Sequence, residues 1–338
     1  MKRNTVRHQN HLHLRLNFEL KLQSFMMKMG KLFLAIALSL GMTQLQAAQS
    51  TVAQAQPDRI NFHEVKKSEK RPIIALVLGS GGSRGYAHIG AIEVLEQAGI
   101  QPDFIVGTSA GSLVGALYAQ GKSASELREI ALQMKASDVR DIRLDKKGFF
   151  DGQKIEDYVN RLLDDTPLQE LKIPMYVVAT QLKHGQKVVF NYGNTGQAVR
   201  ASVSIPSMFI PTDIAGLEYV DGGLVSPVPV NVARNLGADL IIAVDILAQP
   251  EHTETHHVWG LFNQNINIMQ QRLAQQELQY ADIVIQPDIR EKAHIFDVSS
   301  REKIMQAGYI AAQQQLLNIV QVLNNKNIGS SQQLQVLD

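Results

Sequence analysis

Ser109 stands between Gly107 and Gly111 in the run Ile105-Val106-Gly107-Thr108-Ser109-Ala110-Gly111, where an apolar stretch gives way to a small-residue helical pattern. This is the layout of a nucleophile elbow: a tight strand-to-helix turn holds the hydroxyl clear of the main chain, and side chains at the flanking glycines would crowd it. The chemistry it suits is covalent acyl transfer. That chemistry needs two further parts, a site for the developing negative charge and a base to take the hydroxyl proton.

A candidate for the first part lies upstream. Ile73-Ile74-Ala75-Leu76-Val77-Leu78 reads as a fully buried strand that empties into Gly79-Ser80-Gly81-Gly82-Ser83-Arg84-Gly85, and a helical pattern follows over residues 87–98. Successive glycines let amides converge on one point, and the helix N-terminus adds a favourable dipole, so the loop suits a negative group. A dinucleotide-binding turn would want an acidic residue about 20 positions on, at the end of the next strand; Asp103 has nearly that separation but precedes the strand. A phosphate-binding P-loop would want Gly-Lys-Ser/Thr, and Arg84-Gly85-Tyr86 stands there instead. A plain strand-to-helix connector is the remaining alternative. The candidate base is Asp221 in Tyr219-Val220-Asp221-Gly222-Gly223, 112 residues after Ser109. Taken alone, that segment is equally an Asp-Gly turn.

Taken together, these segments resemble the patatin-like phospholipase family, and specifically its bacterial branch. The resemblance spans residues 72–323 and is carried by the run from Leu78 to Gly90, by Gly107-Thr108-Ser109-Ala110-Gly111-Ser112, by Ser204-Ile205-Pro206 and by Asp221-Gly222-Gly223. It implies a Ser-Asp dyad with Ser109 as nucleophile, Asp221 as general base and no histidine in the relay. It also implies an oxyanion site formed by the amides of Gly81, Gly82 and Ser83 with Arg84 beside them; Gly85, Gly107, Gly111, Gly222 and Gly223 are the other motif glycines. Two departures stand out. Ser80 replaces the first glycine of the family's glycine motif, and in Val178-Ala179-Thr180-Gln181-Leu182-Lys183-His184-Gly185 the residues Gln181 and His184 replace an aspartate and a threonine. The second segment is expected to be structural.

The rival mechanism is a Ser-His-Asp triad on an α/β-hydrolase fold, with chain order Ser, acid, His. His252, His256, His257 and His294 follow Asp221, and none stands in a stretch that looks like a catalytic loop after a strand. The first three fall in a polar connector and lack the companion residues of a metal site, so neither metal nor cofactor is expected. His88 reads as packing or bracing the glycine loop. A dyad base with an ordinary aspartate pKa near about 3.9 would work well below the range of a histidine base near about 6.5, and burial would narrow that margin. A non-catalytic lipid-binding module and a serine peptidase are the other function classes.

The apolar core Leu32-Phe33-Leu34-Ala35-Ile36-Ala37-Leu38-Ser39-Leu40 follows Lys28 and Lys31 and precedes Leu45-Gln46-Ala47-Ala48. This is a signal-peptide pattern, too short for a comfortable membrane span, with cleavage expected after Ala47 or Ala48. Translation from Met26, Met27 or Met29 would give it an ordinary length. No cysteine follows the apolar run, so a lipoprotein anchor is not expected. The expected compartment is therefore the periplasm or the medium, with membrane association. Residues 1–48 hold seven Lys or Arg and one Glu; removing them leaves 26 basic and 31 acidic side chains, net −5. Nucleic-acid binding has no electrostatic support in that balance. There are no cysteines, so disulfides and thiolate chemistry are excluded.

The expected organisation is a leader (1–48), a polar linker (49–71), one acyl hydrolase domain (72–323) and a flexible tail (324–338). Alternating strand and helix patterns predict an α/β fold with a mainly parallel central sheet and helices on both faces, the three-layer architecture the resemblance also implies. Ser123 with Glu126 has capping-box spacing, residues 175–181 and 187–192 read as paired strands, and 240–245 as another buried strand. The chain is completed by a glutamine-rich helix (263–280), a strand (282–286) and a helix (299–323). For substrate there are two hints. Residues 202–211 form an apolar, proline-bracketed loop that could line an acyl channel or serve equally as ordinary core packing. Lys146-Lys147-Gly148-Phe149-Phe150 pairs positive charge with aromatics, as a lipid-interface patch would, although a loop with two core phenylalanines is the preferred reading of the same residues. A lipid acyl ester is the expected substrate and peripheral membrane contact the expected partnership.

Overall fold

The runs at 74–78, 104–108, 175–181 and 240–244 are buried at every position, and strands with no polar face belong at the centre of a sheet covered on both sides. The computed structural model describes Phe62, Glu64 and residues 72–143, 145–247, 249, 256, 258–289 and 300–326. Its strands are β1 (Ile74–Leu78), β2 (Phe104–Thr108), β3 (Met175–Gln181), β4 (Gln186–Phe190), β5 (Thr212–Ile214), β6 (Leu217–Asp221), β7 (Leu240–Val244) and β8 (Ile283–Ile285). They form one sheet in the order β5-β6-β3-β2-β1-β7-β8, with β4 also on β3. The β3-β2-β1-β7-β8 stretch is parallel, and β4, β5 and β6 pair antiparallel.

The helices are α1 (Tyr86–Gln97), α2 (Ala110–Ala119), α3 (Ala124–Gln133), α4 (Ala136–Val139), α5 (Gln153–Leu162), α6 (Thr195–Val203), α7 (Val230–Asn235), α8 (Val258–Leu278) and α9 (Arg301–Asn325). Alternation along the strands divides the core in two. Leu76, Leu78, Ile105 and Val177 face Ile92 of α1, Leu117 of α2, Leu127 of α3 and Met305 of α9. Val77, Val106, Val178 and Ala243 face Val232 of α7, Ala274 of α8 and Phe62. The expected layers are present on both faces of the sheet. Among the described residues no helix is long and apolar enough to cross a membrane.

Register, more than sequence order, assembles the site. β2 pairs with β3 as far as Thr108 opposite Val178, while β6 pairs with β3 from Tyr219 opposite Gln181 to Asp221 opposite Ala179. Because β4 occupies Val177 to Gln181 from the other side, β2 and β6 share one edge of β3 and meet there end to end. The residue after Thr108 is therefore brought against Asp221.

Several boundaries differ from expectation. The last helix, expected over 299–323, runs from Arg301 to Asn325. The helix read as 263–280 begins five residues earlier, at Val258. Phe62, assigned to the linker, is 4% exposed with its ring centroid 4.5 Å from that of Phe104; a single aromatic in a polar stretch gives no periodicity to read. Residues 202 and 203 complete α6 instead of opening a loop. The leader and its cleavage site lie outside the described residues.

Candidate active site

Ser109 follows β2 with φ 53° and ψ −121°, a conformation that L-residues adopt at a cost and that the elbow geometry demands. The turn closes because Gly111 has no side chain: a Cβ there would lie 2.0 Å from the carbonyl oxygen of Leu78. Below it the Ser109 carbonyl accepts from the amide of Ser112 at 2.9 Å and from its hydroxyl at 2.6 Å. The Ser109 amide donates to Ser202 Oγ at 2.8 Å, and Ser202 Oγ donates to the carbonyl of Val178 at 2.6 Å.

The Ser109 hydroxyl donates directly to Asp221 Oδ2 at 2.6 Å. Both residues are 3% exposed. Asp221 is held at three points: Oδ1 accepts the Gly223 amide at 2.7 Å, its carbonyl accepts Thr180 Oγ1 at 2.8 Å, and its amide donates to the Ser204 carbonyl at 2.9 Å. Gly222 must be glycine for the base to approach, since a Cβ would come within 2.2 Å of the Val178 carbonyl. Burial pushes the Asp221 carboxyl up to about 6, against the opposing pull of the Ser109 and Gly223 hydrogen bonds.

No imidazole separates the two side chains, which are already in contact. His88 is fully buried, its Nε2 is 2.8 Å from the Gly79 carbonyl, and burial lowers its pKa to about 4. It braces the end of β1, where the glycine loop begins. Of the histidines that follow Asp221, His256 is exposed, and the others lie outside the described residues.

The glycine loop becomes a 3-10 turn, Gly82–Gly85. The amides of Gly79 and Ser80 are taken by the carbonyls of Val244 and Pro227. Those of Gly81, Gly82 and Ser83 donate to no acceptor among the described residues, which leaves them available to an anion. Gly82, Ser83 and Gly85 join Ser109 in lining a half-open apolar cavity. Arg84, next in the chain, donates from Nε to the Ile246 carbonyl at 2.9 Å and its charge lies near Asp245, so its side chain is tied to the segment after β7. Burial is the larger influence on that guanidinium and lowers its pKa to about 10. Gly81 also packs on Ile246.

From Ser109 the cavity follows α2 past Leu113 and Val114 to Leu117, walled by Leu127, Ile130 and Met134 on one side and by Val203, Ile205 and Phe209 on another. No lining residue carries a formal charge. The 202–211 segment thus contributes wall residues, as its composition suggested, together with the buried Ser202 and Ser204. In the 146–150 segment Phe150 packs on Phe209 with ring centroids 5.6 Å apart, Phe149 is 56% exposed, and Lys147 pairs with Glu218. Gln181 and His184 close the β3-β4 turn, the His184 amide donating to Gln181 Oε1 at 2.9 Å.

Sequence reasoning missed the hydroxyl clamps around the pair: Ser202, Thr180, and Thr108, whose Oγ1 donates to the Ser226 carbonyl at 2.9 Å. It also missed Glu277 of α8, which accepts the Ser226 hydroxyl at 2.7 Å and lies 3.4 Å from Lys187 Nζ. A lone serine or threonine between apolar residues carries no signal of the atom it will meet.

Residues 76–234 match the family model described as patatin-like phospholipase. The mouse protein named patatin-like phospholipase domain-containing protein 6 is 35% identical over 188 residues, 53% of this chain and 14% of that protein. An NTE family protein of Mycobacterium tuberculosis, described as uncharacterized, is 36% identical over 186 residues, covering 53% of this chain and 51% of its own. The match therefore spans about half of the second relative and a small part of the first. Among solved structures, VipD from Legionella pneumophila superposes with a TM-score of 0.45 and 14% identity over 73% of this chain and 67% of that one.

Proposed function

The chain carries a patatin-like phospholipase domain, and from that premise we propose that it is a serine hydrolase of lipid carboxylic esters working through a Ser109–Asp221 dyad. The observation that carries this reading is the direct 2.6 Å hydrogen bond between the two side chains at one end of an uncharged cavity. Asp221 takes the hydroxyl proton as Ser109 Oγ attacks the ester carbonyl carbon. The carbonyl π electrons move to oxygen, and the resulting oxyanion lies against the unpaired amides of the Gly81–Ser83 turn. Collapse breaks the bond to the alcohol oxygen, which leaves with the proton from Asp221, and an acyl-Ser109 ester remains. Water, deprotonated by Asp221, attacks that ester in turn; the fatty acid departs and Ser109 recovers its proton.

The cavity wall favours an aliphatic acyl group over a peptide. Ser109 and Leu117 are eight helical residues apart, about 12 Å at the rise of an α-helix, room for one extended chain. On lysophospholipids of increasing acyl length, each methylene added within the cavity is expected to raise kcat/KM about fourfold, up to a plateau. Release of fatty acid from such a panel tests the reading. Equal turnover of short and long esters, or faster release of amines from peptides, contradicts it, and binding of lipid without turnover would support a lipid-binding module instead.

The lipid is reached, on this reading, through the 140–150 segment. Ile142 is 79% and Phe149 56% exposed, Arg140, Arg143, Lys146 and Lys147 accompany them, and Phe150 joins the segment to the cavity wall through Phe209. Asp141 and Asp145 share the segment, Arg143 pairs with Asp151 and Lys147 with Glu218; the segment's basic excess beside its apolar tips suits an anionic bilayer surface. Ile142→Asp with Phe149→Asp is expected to lower turnover on anionic vesicles about tenfold or more while leaving soluble short esters unaffected. Equal loss on both substrates, or on neither, argues against a docking role. Export to the periplasm or medium rests on the basic, apolar and Ala47-Ala48 pattern of the leader. N-terminal sequencing of the mature protein decides it: a start at residue 48 or 49 supports export, and an intact leader opposes it.

A further inference from the structure

A strained nucleophile has to be held by something, and the contacts of the Ser109 amide identify the holder. At φ 53° and ψ −121° this amide stands between the strand that Ser109 follows and the helix it precedes. Its acceptor is the hydroxyl of Ser202 at 2.8 Å, a side chain with no solvent exposure. A hydroxyl has one proton to give, and the proton of Ser202 goes to the Val178 carbonyl at 2.6 Å. Its lone pairs are thereby turned to the Ser109 N–H, so the hydroxyl is fixed from both ends.

The same short segment also holds the base. Two residues on, the Ser204 carbonyl accepts the Asp221 amide at 2.9 Å. Ser202 thus takes the main chain of the nucleophile, Ser204 takes the main chain of the base, and Val178, which anchors Ser202, stands in β3 next to Ala179, the register partner of Asp221. Because the Ser109 amide is engaged, it is no oxyanion donor; that work falls to the Gly81–Ser83 turn.

We propose that Ser202 is a positioning residue that latches the elbow and, with the main chain of Ser204, sets the separation of Ser109 and Asp221. The proposal rests on the hydrolase reading for its kinetic consequence and on geometry alone for its structural one. Misplacing a reacting group by about 1 Å can cost about 10²-fold. Ser202→Ala is therefore expected to lower kcat about 10-fold to 100-fold with KM within about twofold, and to slow fluorophosphonate labelling of Ser109 in proportion. A merely structural serine would lower thermal stability too, so a second measurement separates the cases. Ser109→Gly is compared with Ser109→Ala, since both lack the hydroxyl that Asp221 accepts and only glycine relieves the backbone strain; the glycine variant should have the higher Tm, by a smaller margin in the Ser202→Ala background, where the elbow has already relaxed. Reduced kcat together with non-additive Tm values supports the latch. Turnover of Ser202→Ala within about threefold of the parent, or strictly additive Tm values, overturns it. Should the parent release no fatty acid and Ser109 resist labelling, the hydrolase reading fails separately, and the Tm cycle alone decides whether Ser202 holds the elbow.

Discussion

Ser109→Ala is expected to lower fatty-acid release by at least about 10³-fold while the fold survives. Among the described residues Ser109 is the hydroxyl that donates to a buried carboxylate at the glycine-lined end of the cavity. Alanine keeps the Cβ and leaves the amide free to donate to Ser202, so the elbow keeps its shape and only the attacking atom is lost. The remaining amides of the Gly81–Ser83 turn would still polarise a bound ester, and water would be the sole nucleophile. Lipid binding should persist, measured as retention of a labelled substrate by the inactive variant. Turnover above about a tenth of the parent value, with circular dichroism unchanged, would move the nucleophile elsewhere.

Asp221→Asn should produce a comparable loss together with a gain in stability at alkaline pH. The carboxyl of Asp221 titrates near 6 in the folded protein against an ordinary value of 3.8, so the folded state holds the proton more tightly than the unfolded one. Its favourable contribution is present at low pH and disappears as pH rises through about 6; at pH 8 the buried charge costs about 3 kcal/mol. Asparagine removes that cost. For a domain of this size the Tm at pH 8 should rise by about 6–12 °C, and the gain should shrink towards pH 4. In the parent enzyme the same titration sets the activity profile: kcat/KM on a soluble ester falls as pH drops below about 6. The expected reach of an aspartate base into mild acid is thus largely cancelled by burial, and an acid limb near 6 does not by itself distinguish aspartate from histidine. A variant that loses activity with no Tm gain at pH 8 would place the carboxylate in a better solvated setting than its 3% exposure implies.

Much of this architecture was legible in the residues. β1 and β7 were evident as unbroken apolar runs, and β2 as one that ends at Gly107-Thr108, because strands buried on both faces leave little room for polar positions. The capping box was equally plain, with the Ser123 amide donating to Glu126 and the Glu126 amide to Ser123, since both partners lie within one helical turn. The adjacency of Ser109 and Asp221 was legible only through resemblance. It depends on β2 and β6 meeting along one edge of β3, a register that neither strand encodes locally. The contact of Arg84 with Ile246 left no local trace because the two lie 162 residues apart. The hydroxyl clamps and the Glu277–Ser226–Lys187 cluster join β4, α8 and the turn after β6, and no local periodicity foreshadows such contacts.

The pairing of hydroxyl and carboxylate can be tested without a substrate. Treatment with a fluorophosphonate followed by peptide mass mapping should place one adduct on Ser109 in the parent protein, with the rate of its formation falling at least about 10²-fold in Asp221→Asn. An adduct on any other residue, or modification of Ser109 at an undiminished rate when the carboxylate is gone, would contradict the account.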